Sequence, residues 1–126
     1  MPREITCSQF FDGDSLQGPR RIVVAEDGLV ESIEEHTGAA EYPVLCPGFV
    51  DVQMNGFDDV YVATASLDEL IRLDQLLLGR GTTSWLGTIV TAPLERMARS
   101  LGSLHESFES QQVHGFVGIH VEGPFL

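Results

Sequence analysis

At 126 residues, 43% of them hydrophobic and 21% charged, the chain holds enough apolar material for a packed core and too much for wholesale disorder. Nineteen acidic residues oppose seven basic ones, all of them arginine, for a formal net charge of −12. A field of that sign repels phosphate backbones and anionic lipid heads, so neither nucleic acid nor a membrane surface is an expected partner. No apolar run approaches the roughly 18–20 residues that cross a bilayer, and Met1-Pro2-Arg3-Glu4 does not open a secretory signal. Cys7 and Cys46 are too few for a disulfide scaffold and are expected as free thiols. The chain is expected in the cytoplasm.

The first forty-odd residues alternate short apolar runs with turn chemistry. Ile5 and Cys7 alternate with Thr6 and Ser8 before Asp12-Gly13-Asp14-Ser15 and then Gln17-Gly18-Pro19. Arg21–Ala25 is β-branched, and Asp27-Gly28 followed by Leu29–Ile33 signals a hairpin. This small antiparallel unit, residues 1–46, is too thin to hold a core alone.

The pattern changes at Tyr42–Gly48, where two prolines and a glycine mark a boundary. Phe49–Asn55 predicts a mostly buried strand, with Asp51, Gln53 and Asn55 on one face by period two. Ser66 with Glu69 three residues on predicts a capping box, and apolar positions 67, 70, 71, 73, 77 and 78 predict the helix behind it. Gly79 and Gly81 stop that helix, and Thr82–Val90 is strand-like. Pro93 sits at the start of a second helix whose stripe is Leu94, Met97, Leu101, Leu104 and Phe108. Gly115–Glu122 is the last strand. Strands alternating with helices indicate parallel pairing with helical crossovers. A (β/α)8 barrel takes roughly 250 residues, and residues 47–126 contain three strands and two helices, so the chain is expected to be a truncated part of one.

His120 and Glu122 lie two apart in the last strand and project to one face at its C-terminal end, where parallel barrels carry their chemistry. A carboxylate there, followed by the rigid turn Gly123-Pro124, suits a metal ligand; a solvent-facing glutamate beside a space-filling histidine fits the same spacing. Gln53 and Asn55, followed by Gly56, can orient a ligand without charge or plug the underside of a loop. Asp51 lies deeper and suits a structural hydrogen bond. Asp58 and Asp59 form a solvated acidic loop, and His36, His105 and His114 lack partners at ligand spacing. Phosphate-loop, dinucleotide, Cys-x-x-Cys and Gly-x-Ser-x-Gly signatures are all missing.

Three blocks taken together resemble a known family. Pro47–Gly56 is similar to the first-strand signature of N-acetylglucosamine-6-phosphate deacetylases, within the amidohydrolase superfamily. Gly81–Leu86 followed by Thr88–Thr91 resembles the second-strand block, and Gly118–Leu126 resembles the His-x-Glu-Gly-Pro-Phe motif. Gly87 stands where the family often has proline, and the loop Phe57–Tyr61 lacks the extra glycines often found there.

The resemblance implies an α/β fold: the N-terminal part of a (β/α)8 TIM-like barrel, preceded by strands of a small β-sandwich domain. It implies Glu122 as the carboxylate ligand of one divalent metal ion, usually zinc, with Gln53, Asn55 and His120 lining the site. Many amidohydrolases carry His-x-His where this chain has Gln53 and Asn55, and neutral amides ligate zinc poorly, so one metal is expected. The implied reaction is hydrolysis of the acetamide of N-acetylglucosamine 6-phosphate to acetate and glucosamine 6-phosphate. The general-base aspartate and two metal-binding histidines are expected beyond Leu126, so no catalytic residue is assigned and the chain alone is expected to be inactive. A homodimer is the assembly the resemblance allows. The alternatives are a non-catalytic remnant or interaction module, or an amidohydrolase for another acylated sugar or cyclic amide.

Overall fold

Alternating β-branched and polar residues become a sheet in the first of two compact units, Met1–Pro47 and Gly48–Leu126. The computed structural model describes residues 2–125, so Leu126 of the last motif lies outside the described residues. In the first unit β1 (Arg3–Phe11) pairs antiparallel with β2 (Leu16–Gln17) and β3 (Arg20–Val24). Phe11 faces Leu16, Cys7 faces Arg20 and Ile5 faces Ile22, one continuous register. The two short strands are thus a single hairpin arm, interrupted at Gly18-Pro19 because proline has no N–H for the ladder. In the turn, the Asp12 carboxylate accepts from the backbone N–H of Ser15 at 2.8 Å and of Asp14 at 2.9 Å. Those bonds hold its carboxyl below the usual aspartate range.

β4 (Val30–Glu35) follows the expected hairpin, with Gly28 at φ 85°. β5 (Tyr42–Leu45) runs parallel to β1. The prolines mark this stretch as a boundary in the sequence, and in the structure it is an edge strand, which tolerates Pro43. Ile5, Cys7 and Ile22 share one face of the sheet. The other carries Arg21, paired with Glu34 at 2.7 Å and Glu4 at 3.1 Å. Cys7 is buried and Cys46 exposed, both as free thiols.

The second unit is built on three parallel strands in the order β10–β9–β6: β6 (Phe49–Met54), β9 (Thr82–Ile89) and β10 (Phe116–Val121). A two-residue ribbon, β7 (Gly56–Phe57) with β8 (Val60–Tyr61), and a 3-10 turn (Val62–Thr64) follow β6. α1 (Leu67–Leu78) and α2 (Leu94–Glu109) form the crossovers. Trp85, Ile89 and Phe116 from the strands join Leu70, Leu73 and Leu77 of α1 and Met97 and Leu104 of α2 in one core. Trp85 stacks on Phe116 with ring centroids 4.7 Å apart and donates its indole N–H to Asp74 at 2.8 Å.

The stripe predicted on α2 divides. Met97, Ser100, Leu104 and Ser107 are buried, whereas Leu94, Leu101 and Phe108 form its exposed flank. The two serines are small enough to let the helix roll onto them, and the Ser107 hydroxyl is satisfied by the Ser103 carbonyl at 3.0 Å.

The capping box forms on α1. Glu69 N–H donates to the Ser66 hydroxyl, and the Glu69 carboxylate accepts from the Ser66 N–H at 2.8 Å. These bonds depress the Glu69 carboxyl below its ordinary value. Its contribution is therefore present above the unfolded-state pKa and is lost as pH falls through the lower folded one. Ser66→Ala removes the hydroxyl that accepts the Glu69 N–H and is expected to cost about 1 kcal/mol at neutral pH, read from urea unfolding of the complete protein; an unchanged stability would count against the cap.

Candidate functional site

The C-terminal end of β6 departs from regular pairing. Asp51 faces Trp85 on β9 but Met54 faces Gly87, so β6 carries one residue more than its partner between those points. This bulge falls on Val52-Gln53 and breaks the period-two alternation expected of 51, 53 and 55. Asp51 turns its carboxylate onto the bulge and accepts the Gln53 backbone N–H at 2.9 Å, the structural hydrogen bond its position suggested. From the other side the Asn55 side-chain amide donates to the Gln53 carbonyl at 3.4 Å. The Asn55 carbonyl accepts the Val62 N–H at 3.0 Å, tying the strand end to the 3-10 turn. Bulges recur beside active sites because they re-aim side chains that a regular strand would bury.

Two hydrogen bonds then link the outer strands across β9. The Val52 carbonyl accepts from His120 Nδ1 at 3.1 Å, and Gln53 Nε2 donates to Glu122 Oε1. Strands two apart in a flat sheet are separated by about 10 Å. The crossing therefore needs long side chains and a carbonyl outside the ladder, and the bulge supplies the carbonyl. A carbonyl can only accept, so His120 is held as the Nδ1–H tautomer when neutral, with Nε2 unprotonated. Trp85 and Ile89 of β9 face the helices, so alternation puts Thr88 on the opposite face, level with His120.

Glu122 is anchored through its backbone. Its N–H donates to the Ile89 carbonyl at 2.9 Å and its carbonyl accepts from the Thr91 hydroxyl at 2.9 Å. Gly123 follows with φ +93°, and a Cβ there would overlap the Thr91 hydroxyl. The close approach of Thr91 requires glycine on both counts. The carboxylate is thus presented from a fixed backbone, and its second oxygen makes no hydrogen bond among the described residues.

Two buried side-chain oxygens lack a partner among the described residues, Asn55 Oδ1 and Thr88 Oγ1. Both belong to this end of the sheet, as the pairings of Met54 with Gly87 and His120 with Thr88 show. Orphaned buried acceptors call for a partner. Among the described residues no three His, Cys, Asp or Glu side chains gather closely enough to hold a metal ion. Glu122, with one oxygen steadied by Gln53 and one open, fits a single carboxylate ligand whose companion donors come from elsewhere.

The structure thus brings Gln53, His120 and Glu122 together and sets Asn55 just past the bulge, its side-chain amide on the Gln53 carbonyl. Asp58 and Asp59 stay apart from this group: Arg72 of α1 pairs with both, and its guanidinium lowers the Asp59 carboxyl. His105 and His114 are exposed, and His36 donates from Nε2 to the Ala39 carbonyl at 3.2 Å. Reasoning from sequence missed the Val52 carbonyl, Thr88 and Thr91. A carbonyl carries no residue-type signal, but the threonines sit at the end of a strand, where the chemistry of a parallel sheet collects.

No protein-family model matches the chain. Curated relatives do. The N-acetylglucosamine-6-phosphate deacetylase of Bos taurus is 36% identical over 117 residues, 90% of this chain and 28% of its own length. That of Haemophilus influenzae is 32% identical over 129 residues, 97% of this chain and 34% of its own. Among solved structures, N-acetyl-D-glucosamine-6-phosphate deacetylase from Mycobacterium smegmatis, in complex with N-acetyl-D-glucosamine-6-phosphate, superposes on 99% of this chain and 33% of its own with a TM-score of 0.82 and 26% identity. The chain spans about a third of the length of the proteins it matches.

Proposed function

Since the chain is homologous over nearly all its length to N-acetylglucosamine-6-phosphate deacetylases, we propose that the complete protein hydrolyses the acetamide of N-acetylglucosamine 6-phosphate to acetate and glucosamine 6-phosphate. The observation that carries this reading is the convergence of Gln53, His120 and Glu122 at the C-terminal ends of the two outer strands of the three-stranded parallel sheet, on the face away from the helices. Those strands and two crossovers correspond to the start of a (β/α)8 barrel, with the five-stranded sheet of the first unit belonging to a β-sandwich domain.

In this reading Glu122 is one ligand of a divalent ion, zinc by preference. The bound ion would supply Lewis acidity at the acetamide carbonyl and a nucleophile at neutral pH. Glu122 holds its donor oxygen in place through Gln53 and through its own anchored backbone. His120 keeps a fixed tautomer beside it, and Gln53 and Asn55 line the site without adding charge. The proton-transfer aspartate and the remaining donors are assigned to the rest of the protein, so residues 1–126 alone would not turn over. The resemblance to those enzymes implies a cytoplasmic protein and allows a homodimer.

The test is acetate release by the complete protein from the phosphorylated and the unphosphorylated sugar, with and without a chelator. Turnover of the phosphorylated sugar, abolished by chelation and restored by zinc, is expected. Preference for the unphosphorylated sugar would move the assignment to another acylated sugar, and no acetate from either would sink it.

A further inference from the structure

The same bulge points to a residue with no direct contact to the reaction. We infer that Asp51 is a positioning residue for the Glu122 carboxylate, acting through the backbone of Val52-Gln53; this rests on the functional reading above. The chain of contacts is short. Asp51 accepts the Gln53 N–H at 2.9 Å and thereby holds the extra residue of β6 out of the ladder. With the bulge held, the Val52 carbonyl is free to take the His120 Nδ1–H at 3.1 Å, and the Gln53 side chain is free to reach Glu122. Were β6 to pair regularly, the Val52 carbonyl would be drawn back to the ladder and the Gln53 side chain would shift with its backbone. One carboxylate bracketing one N–H thus determines both bonds that cross β9. Asn55 supports the same bulge more weakly, at 3.4 Å.

Residues that orient a metal ligand without touching the metal typically change its affinity by about 10–100-fold when removed. In the complete protein, Asp51→Ala is expected to weaken zinc binding at least about tenfold, measured by competition with a chromophoric chelator. Asp51→Asn keeps an oxygen that accepts the same N–H and is expected to stay within about threefold of the parent. A second readout needs no metal. In metal-free protein labelled with 15N at histidine, with His120 identified by its loss in His120→Gln, the Nδ1–H tautomer should dominate in the parent and in Asp51→Asn. It should give way to a mixture in Asp51→Ala.

Parent-like zinc affinity and an unchanged His120 tautomer in Asp51→Ala would overturn the proposal. So would equal damage in the alanine and asparagine variants, since the carboxylate charge and not the acceptor oxygen would then matter. Should Asp51→Ala fail to fold, Gln53→Ala carries the test: its side chain is exposed, and parent-like affinity there would refute the route through Gln53. Glu122→Gln separates the two readings. If that variant keeps its zinc, the metal assignment fails, and the tautomer measurement still decides whether Asp51 holds the bulge.

Discussion

Glu122→Gln in the complete protein is expected to abolish stoichiometric zinc and, with it, acetate release. The substitution keeps the shape of the side chain and leaves an oxygen that can still accept from Gln53 Nε2, so the link across β9 survives. The backbone anchors also survive, because the Ile89 and Thr91 bonds involve only main-chain atoms of residue 122. What disappears is the negative charge, and a neutral amide oxygen is a poor partner for zinc beside a carboxylate. Removing groups one shell further out costs about 10–100-fold in affinity, so loss of the charged ligand itself should exceed about 100-fold. Metal analysis after gel filtration reads this directly, with far-ultraviolet circular dichroism confirming the fold. Full zinc occupancy in the variant would remove Glu122 from the metal site.

The largest expected loss of stability comes from Trp85→Ala, at about 3–5 kcal/mol. Trp85 is fully buried, stacks on Phe116 at 4.7 Å and sits in the core shared by β9, α1 and α2. Truncation would leave a cavity in that core. It would also remove the indole donor from Asp74, whose carboxylate takes the Gly115 N–H at 3.1 Å as well as the Trp85 N–H at 2.8 Å. Asp74 thus ties α1 to the approach of β10, the strand that carries Glu122. Trp85→Phe retains a stacking ring but loses both the hydrogen bond and the volume of the second ring; a smaller cost than for alanine, about 1–3 kcal/mol, is expected. Urea unfolding measures both. A loss below about 1 kcal/mol for alanine would mean that the core collapses around the gap and that Phe116 does not depend on the stack.

The local elements were legible because their determinants are local. The Ser66–Glu69 capping box lies within a single turn, and the Gly28 hairpin within a few residues. The apolar spacing of α1 needs no partner to be recognised, and the parallel order of three strands follows from their alternation with helices. The residue types at 53, 55, 120 and 122 could likewise be placed at strand ends from the sequence, because each strand ends in recognisable turn chemistry. The flank of α2 could not be divided in advance. Leu101 and Leu104 are equally apolar, and only packing of the helix against β9, β10 and the turn at Val62–Thr64 buries one and leaves the other exposed. Nor could the edge strand at Tyr42–Leu45, since it exists only by pairing with β1, more than thirty residues earlier.

The site divides the same way. Sequence by itself determined which residues stand at the C-terminal ends of β6 and β10, because the turn residues that close each strand are a short-range property. Tertiary structure alone decided that β6 slips by one residue against β9, a balance of pairing between segments thirty residues apart. That slip turns the Val52 carbonyl and the Gln53 amide toward β10, gives Asp51 its hydrogen bond and gives His120 its tautomer. A bulge has no signature in a single strand, because its cause is the register of two.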